Sequence, residues 1–218
     1  MATRQVTAAE LNVIDHEQFM KEYWEWCNYA IDYDWTDFIK EDFVRDMAPF
    51  GVRVADINWD DVGYNASAAM SGVVDLWKFM EAHKVDDVPL SELYPALYLA
   101  VKHDESFVRV RQVGRGLRMD LDFYEYTLNV APTGIFSALD EATWQELVED
   151  QWKQSGIARG TLDDFLKDKC GDLARNLDAE YEHLTSVESF MESCEANEVT
   201  FEIEIDEEEN EDENVVCD

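Results

Sequence analysis

Residues 106–130 read SFVRVRQVGRGLRMDLDFYEYTLNV, two alternating runs of apolar and polar residues divided by a Gly-Arg-Gly step. Residues 107–113 and 117–127 show the period of two that marks a strand, and Gly114, Arg115 and Gly116 form the kind of step at which a tight turn finds positive φ. The stretch predicts an antiparallel hairpin. Upstream, VRVADINW at 52–59 has the same period and would offer Val52, Val54, Ile57 and Trp59 to a core. A turn separates it from a second strand over 66–74, which runs into a short helix at 76–82.

The remaining chain changes to helical spacing. Residues 10–30 place Leu11, Ile14, Phe19, Tyr23, Trp26 and Tyr29 at intervals of mostly three and four, and the next segment repeats the pattern with Trp35, Phe38, Ile39, Phe43 and Met47 until Pro49 and Gly51 stop it. Beyond Pro89, Leu90, Leu93, Leu97 and Val101 predict a helix ending near His103. Two more are expected, one over 140–153 and one from Thr161, in which Leu162, Phe165, Leu166, Leu173, Leu177, Tyr181 and Leu184 share a face. Thr161 would cap it, with acids in the first turn where the helix dipole favours them. Residues 199–205, VTFEIEI, alternate as a strand, whereas from Asp206 the chain is a block of like charge that cannot bury anything. The expected architecture is α+β: a mainly antiparallel four- or five-stranded sheet with helices packed on one face. One domain over 1–205 and an acidic disordered tail over 206–218 complete it.

Charge narrows the function. Fifty Asp and Glu stand against 17 Lys and Arg, a formal net charge of −33, and no Lys or Arg follows Arg175. Bare nucleic acid and anionic membrane would be repelled over about 8 Å, the Debye length at physiological salt. A cationic partner is the natural complement. Halophilic dispersal of acids fits poorly with 7 Trp, 11 Phe and 9 Tyr. No apolar run reaches the length of a membrane span, and MATRQVTAAE lacks the charged and apolar regions of a signal peptide. Cys27, Cys170, Cys194 and Cys217 form no CxxC pair, which points to a reduced, cytoplasmic setting. His16, His83, His103 and His183 lack metal-ligand spacing, so neither metal nor cofactor is expected.

Enzymatic constellations are weak. Asp60 with Asp61, or Asp120 with Asp122, could serve as acid and base, but adjacent carboxylates come easily in so acidic a chain. The Gly-Arg-Gly turn and GIARG at 156–160 lack a phosphate-loop frame, no GxSxG occurs, and Cys27 has no neighbouring histidine. Arg109, Arg111, Arg115 and Arg118 gather on the hairpin, where arginine forks would pair with carboxylates and relieve repulsion, or else bind an anion. The stronger candidates are rows of carboxylates on helices, where i and i+4 neighbours lie about 5–6 Å apart. Asp32, Asp34, Asp37, Glu41 and Asp42 form one row. Asp163, Asp164, Asp168 and Asp172 begin another, continued by Asp178, Glu180 and Glu182, and Glu202 with Glu204 extends it on a strand.

The order of a DWTDFIKEDF helix segment from Asp34, the strand GVRVADINW and the small-residue segment NASAAMSG ending at Gly72 resembles a group of bacteriophage proteins often labelled antitoxin of a toxin–antitoxin stability system. Ala68, Met70 and Gly72 carry the match in the third segment, and the resemblance spans roughly residues 30–130. It implies a phage or mobile-element origin and a cytoplasmic protein in an infected bacterial host. With the charge, the expectation is a non-enzymatic inhibitor that occludes the cationic site of a basic or nucleic-acid-binding host protein. An antitoxin neutralising a basic toxin, and a small enzyme using Asp60, Asp61 and the hairpin arginines, are the alternatives.

Overall fold

The computed structural model describes residues 2–31, 34–60, 67–103, 105–113, 118–122, 131–132, 134–157 and 160–205. The expected hairpin turn at 114–116, the end of its second strand at 123–127, Asp32, Asp61 and the tail from Asp206 lie outside them. The fold is α+β and predominantly helical. The chain divides into two compact units, residues 1–35 with 179–218, and residues 36–178.

In the first, terminal unit, strand β1 (Ala2–Val6) pairs antiparallel with β8 (Phe201–Ile205), setting Gln5 opposite Glu202 and Thr3 opposite Glu204. The helical stretch expected over 10–30 is two helices, α1 (Ala8–Ile14) and α2 (His16–Ala30). Asp15 makes the break. Its backbone N–H closes α1 on the Leu11 carbonyl, and its carboxylate opens α2 by accepting from the Gln18 N–H at 2.9 Å. Thr7 and Glu10 form a capping box at the start of α1. Helix α9 (Val187–Ala196) supplies Phe190, whose ring centroid lies 5.5 Å from Phe19, 5.8 Å from Tyr23 and 5.4 Å from Trp26. Val6, Leu11, Cys194 and Ile203 complete this core.

The second, central unit begins with α3 (Asp37–Met47), closed by a 3-10 turn at Ala48–Phe50 and by Gly51 at φ 74°. A Cβ at Gly51 would sit 2.6 Å from the Lys78 Cβ, so only glycine turns the chain here. Strand β2 (Val52–Asp60) pairs with β3 (Ser67–Asp75), β3 with β6 (Phe107–Val113), and β6 with β7 (Arg118–Asp122), all antiparallel. The register slips by one residue between Val54 and Asp56. That bulge moves the inward phase from even to odd positions, which is why Val52 and Val54 are followed by Ile57 and Trp59. β3 alternates buried and half-buried residues along its length.

Helix α4 (Leu76–Ala82) leads to a tiny hairpin, β4 (Lys84–Val85) and β5 (Val88–Pro89), turned by Asp86 and Asp87 at φ 50° and 65°. The helix expected after Pro89 is α5 (Leu90–Leu93) followed by α6 (Pro95–His103), because the residue before a proline is driven out of helical φ,ψ. Leu93 is therefore exposed while Leu90, Leu97 and Val101 are buried. Helices α7 (Glu141–Ser155) and α8 (Thr161–Leu184) follow. Phe165 of α8 lies 5.4 Å from Phe79 and 4.7 Å from Phe50. Phe79, Met80, Leu97 and Leu166 are wholly buried, each contributing about 1.5–3 kcal/mol over the exposed state.

The strands do not join in the one sheet expected from the sequence but divide among separate sheets. The closing strand pairs with the N-terminal strand β1 in a two-stranded sheet, and β2, β3, β6 and β7 form a sheet of their own. The reason is sequence separation: alternation identifies a strand but says nothing of its partner, and β1 and β8 lie at opposite ends of the chain.

Candidate acidic interface

The predicted carboxylates fall into three groups. On α3, Asp37 and Glu41 are exposed, but Lys40 and Arg45 alternate with them, and Arg45 holds Asp42 at 2.7 Å and Asp46 at 3.9 Å. Asp34 is exposed just before the helix. On α8, Asp163 is bonded by Lys167, and Asp172 is bonded by Arg175 and approached by Lys169 at 3.7 Å. Asp164 and Asp168 remain exposed on that helix. The row expected there is interrupted by its own bases.

Glu202 and Glu204 make the third group, and they differ. Both project from the outer face of the β1–β8 ribbon and both are exposed. Gln5 donates to the Glu202 carboxylate at 2.9 Å and in turn accepts from Thr200 at 2.7 Å, while Gln18 donates to the Glu202 carbonyl at 3.2 Å. The strand carboxylate is thus held by neutral groups, which orient it without discharging it.

The terminal unit as a whole is poor in bases. Its described residues contain 14 acids and two bases, Arg4 and Lys21, and twelve of those acids are exposed. Arg4 approaches Glu10 at 3.6 Å. The Glu10 carboxyl is held below its usual range first by the Thr7 backbone N–H, with Arg4 the smallest cause. The central unit has 15 bases against 27 acids along its whole length, and ion pairs recur there, including Arg53 with Asp75 at 2.8 Å and Lys102 with Glu81 at 3.1 Å.

Residues that the sequence reading passed over belong to this surface. Glu188, Glu192 and Glu195 on α9 are exposed at i, i+4 and i+7, opposite the buried Phe190 and Cys194. The spacing of SVESFMESCEA holds that signal in full. Trp24 and Tyr29 on α2 are 60% and 85% exposed, large rings standing beside Glu17 and Glu25 on one helix. The spacing places Tyr29 and Ile14 on the buried stripe, yet they are 85% and 53% exposed, Ile14 as the last residue of α1 and Tyr29 as the last but one of α2.

Of the residues named for an enzymatic alternative, Asp61 and Arg115 lie outside the described residues. Arg109 is exposed, and the register sets it opposite Asp122 and Arg111 opposite Asp120. Burial pushes the Cys170 thiol up to about 11 and also raises Cys194, the opposite of what a nucleophile needs. Among the described residues no cluster of three His, Cys, Asp or Glu could hold a metal ion, and no helix is long and apolar enough to cross a membrane. The chain matches no family model, no curated protein and no solved structure.

Proposed function

We propose that this chain is a non-enzymatic acidic inhibitor, of the phage type that its resemblance suggests, acting in the cytoplasm of an infected bacterium. It occupies the cationic, nucleic-acid-binding cleft of a host protein, with the terminal unit as the binding part. One observation carries the reading: the 14-to-2 excess of acids over bases in the described terminal unit, most of them borne on helices and a strand. A charge so uncompensated raises the energy of the free protein and is relieved by a basic cleft, which also steers association. The α9 carboxylates recur about every 5 Å along the helix axis, a regular row of charge of the kind that could stand in for a phosphate backbone. Trp24 and Tyr29 supply the aromatic contact that charge alone lacks.

The test is capture from bacterial lysate at low and high salt, followed by competition with duplex DNA and RNA. The reading requires nucleic-acid-handling proteins that are lost as salt rises and displaced by nucleic acid. Recovery of one basic partner that nucleic acid does not displace and that is toxic when expressed alone would make the chain an antitoxin. Binding that is indifferent to salt would remove the electrostatic reading altogether.

A further inference from the structure

The β1–β8 ribbon has two edges, and they differ. The Glu202 carbonyl accepts from the Gln18 side chain of α2 at 3.2 Å, so the Glu202 backbone is turned away from β1 and toward that helix. Residues that face one another in an antiparallel pair either exchange both hydrogen bonds or turn both away. Gln5, opposite Glu202, and Thr3, opposite Glu204, therefore point their N–H and C=O groups out of the other edge. Thr3, Arg4 and Gln5 are all exposed, and ATRQV has no proline, lysine or bulge to blunt that edge.

Backbone and charge together identify the occupant. Outward N–H and C=O groups on a strand call for an extended chain, since a helix has already bonded its own. An added strand sets every second side chain on the face that carries Thr3, Gln5, Glu202 and Glu204. Its backbone lies about 10 Å from β8, two strand spacings, a gap that a lysine or arginine and a glutamate span together. The Glu202 carboxylate is held at 2.9 Å by the neutral Gln5 and keeps its charge. The opposite face carries Arg4, which approaches Glu10 at 3.6 Å and would repel a base placed beside it.

We propose that the β1 edge receives an extended segment of the basic partner, with Lys or Arg at alternate positions beside Thr3 and Gln5 and uncharged residues between them. The inference rests on the terminal unit being the binding part, and it adds the mode of engagement, main-chain pairing as well as charge. An acidic strand would meet Glu202 and Glu204. A two-fold pairing of β1 with itself, Thr3 beside Gln5, would set Arg4 opposite Arg4 and bring together two chains of −33. The pairing is short, so the acidic field steers the segment onto the edge and the backbone then fixes its register.

Isothermal titration of the full chain with a short peptide alternating lysine and valine, and with the same peptide N-methylated along its backbone, separates pairing from charge. The unmodified peptide should bind saturably, with an affinity that falls as salt rises. N-methylation keeps every lysine and should weaken binding by about tenfold or more. Thr3→Pro removes an outward N–H and leaves the β1–β8 ladder its own bonds, and it should weaken the unmodified peptide to a similar extent. A thermal melt establishes that this variant stays folded. Glu202→Gln with Glu204→Gln should weaken binding and flatten its salt dependence. Equal binding of the two peptides, or equal binding to Thr3→Pro and the parent, overturns the proposal and leaves the electrostatic reading of the terminal unit standing. Failure of the unmodified peptide to bind overturns it whatever the lysate capture recovers. Dimerisation of the free chain that Thr3→Pro abolishes would give the edge to a second copy and overturn it as well.

Discussion

The phenol of Tyr23 donates to the carbonyl of Thr185 at 2.6 Å, joining α2 to the turn before α9 across 162 residues of sequence. Burial, and after it Cys27, raise the Tyr23 pKa, so the phenol remains the donor at neutral pH. The Cys27 thiol reaches the same carbonyl at 3.9 Å, a weak second donor. Tyr23→Phe keeps the ring against Phe190 and removes only the hydroxyl. Urea denaturation should show a loss of about 1 kcal/mol, and the double variant with Cys27→Ala should lose more than the two singles together, because the carbonyl then has no donor from either side chain.

Glycine substitutions at two positions should move stability in opposite directions. A Cβ at Gly72 would lie 2.2 Å from the Arg53 carbonyl oxygen, on the paired strand where no side chain can yield. Gly72→Ala should cost about 1–3 kcal/mol. At Gly171, inside α8, the nearest atom to a new Cβ is Arg175 Nη1 at 3.5 Å, an ordinary contact. Gly171→Ala should stabilise by about 0.5–1 kcal/mol, since alanine has less backbone freedom to lose. Thermal melts of the two variants against the parent check both signs.

His83 gives the central unit a pH dependence. Its ring stacks on Phe79 at 4.9 Å and meets Phe165 edge-on at 5.6 Å, and burial lowers its pKa from the ordinary value near 6.5. The unfolded chain therefore takes up this proton more readily than the folded one. Stability from the neutral ring is complete above about pH 6.5 and is lost as pH falls through the lower, folded value. Urea midpoints should drop between pH 7.5 and 5.5 (set about one unit either side of the ordinary value). His83→Phe should flatten that slope.

Much of the architecture is legible in the chain, and the gaps have physical causes. The alternation in β2, β3, β6 and the first part of β7, and the stripes of α3 and α8, report contacts made within a few residues, which periodicity encodes. Asp15 divided a helix because one carboxylate can cap the next turn, and Pro95 divided another through its ring; both are single-residue effects hidden inside an unbroken apolar rhythm. Strand β1, ATRQV, has only Val6 as a strong apolar position, and β8 rather than its own sequence defines it. Of the acidic rows, Asp37, Glu41 and Asp42 lie on α3, and Asp163, Asp164, Asp168 and Asp172 on α8. Ion pairing then separated them: Asp42, Asp163 and Asp172 have cations three or four residues away, and Glu202, Glu204 and the α9 glutamates do not.

That distinction yields a comparison at constant charge. Glu188→Gln, Glu192→Gln and Glu195→Gln together remove three exposed carboxylates from α9, and Asp42→Asn, Asp163→Asn and Asp172→Asn together remove three that already face bases. Each triple variant changes the net charge by the same amount. If the terminal unit makes the contact, the glutamine triple should slow association with a captured basic partner by about tenfold and flatten its salt dependence, because steering follows the field at the surface that docks. The asparagine triple takes an ion-pair partner from each of Arg45, Lys167 and Arg175 on the central unit and should leave association nearly unchanged while lowering the melting temperature. Stopped-flow association at two salt concentrations separates them, and equal effects from both triples would place the contact on total charge rather than on the terminal unit.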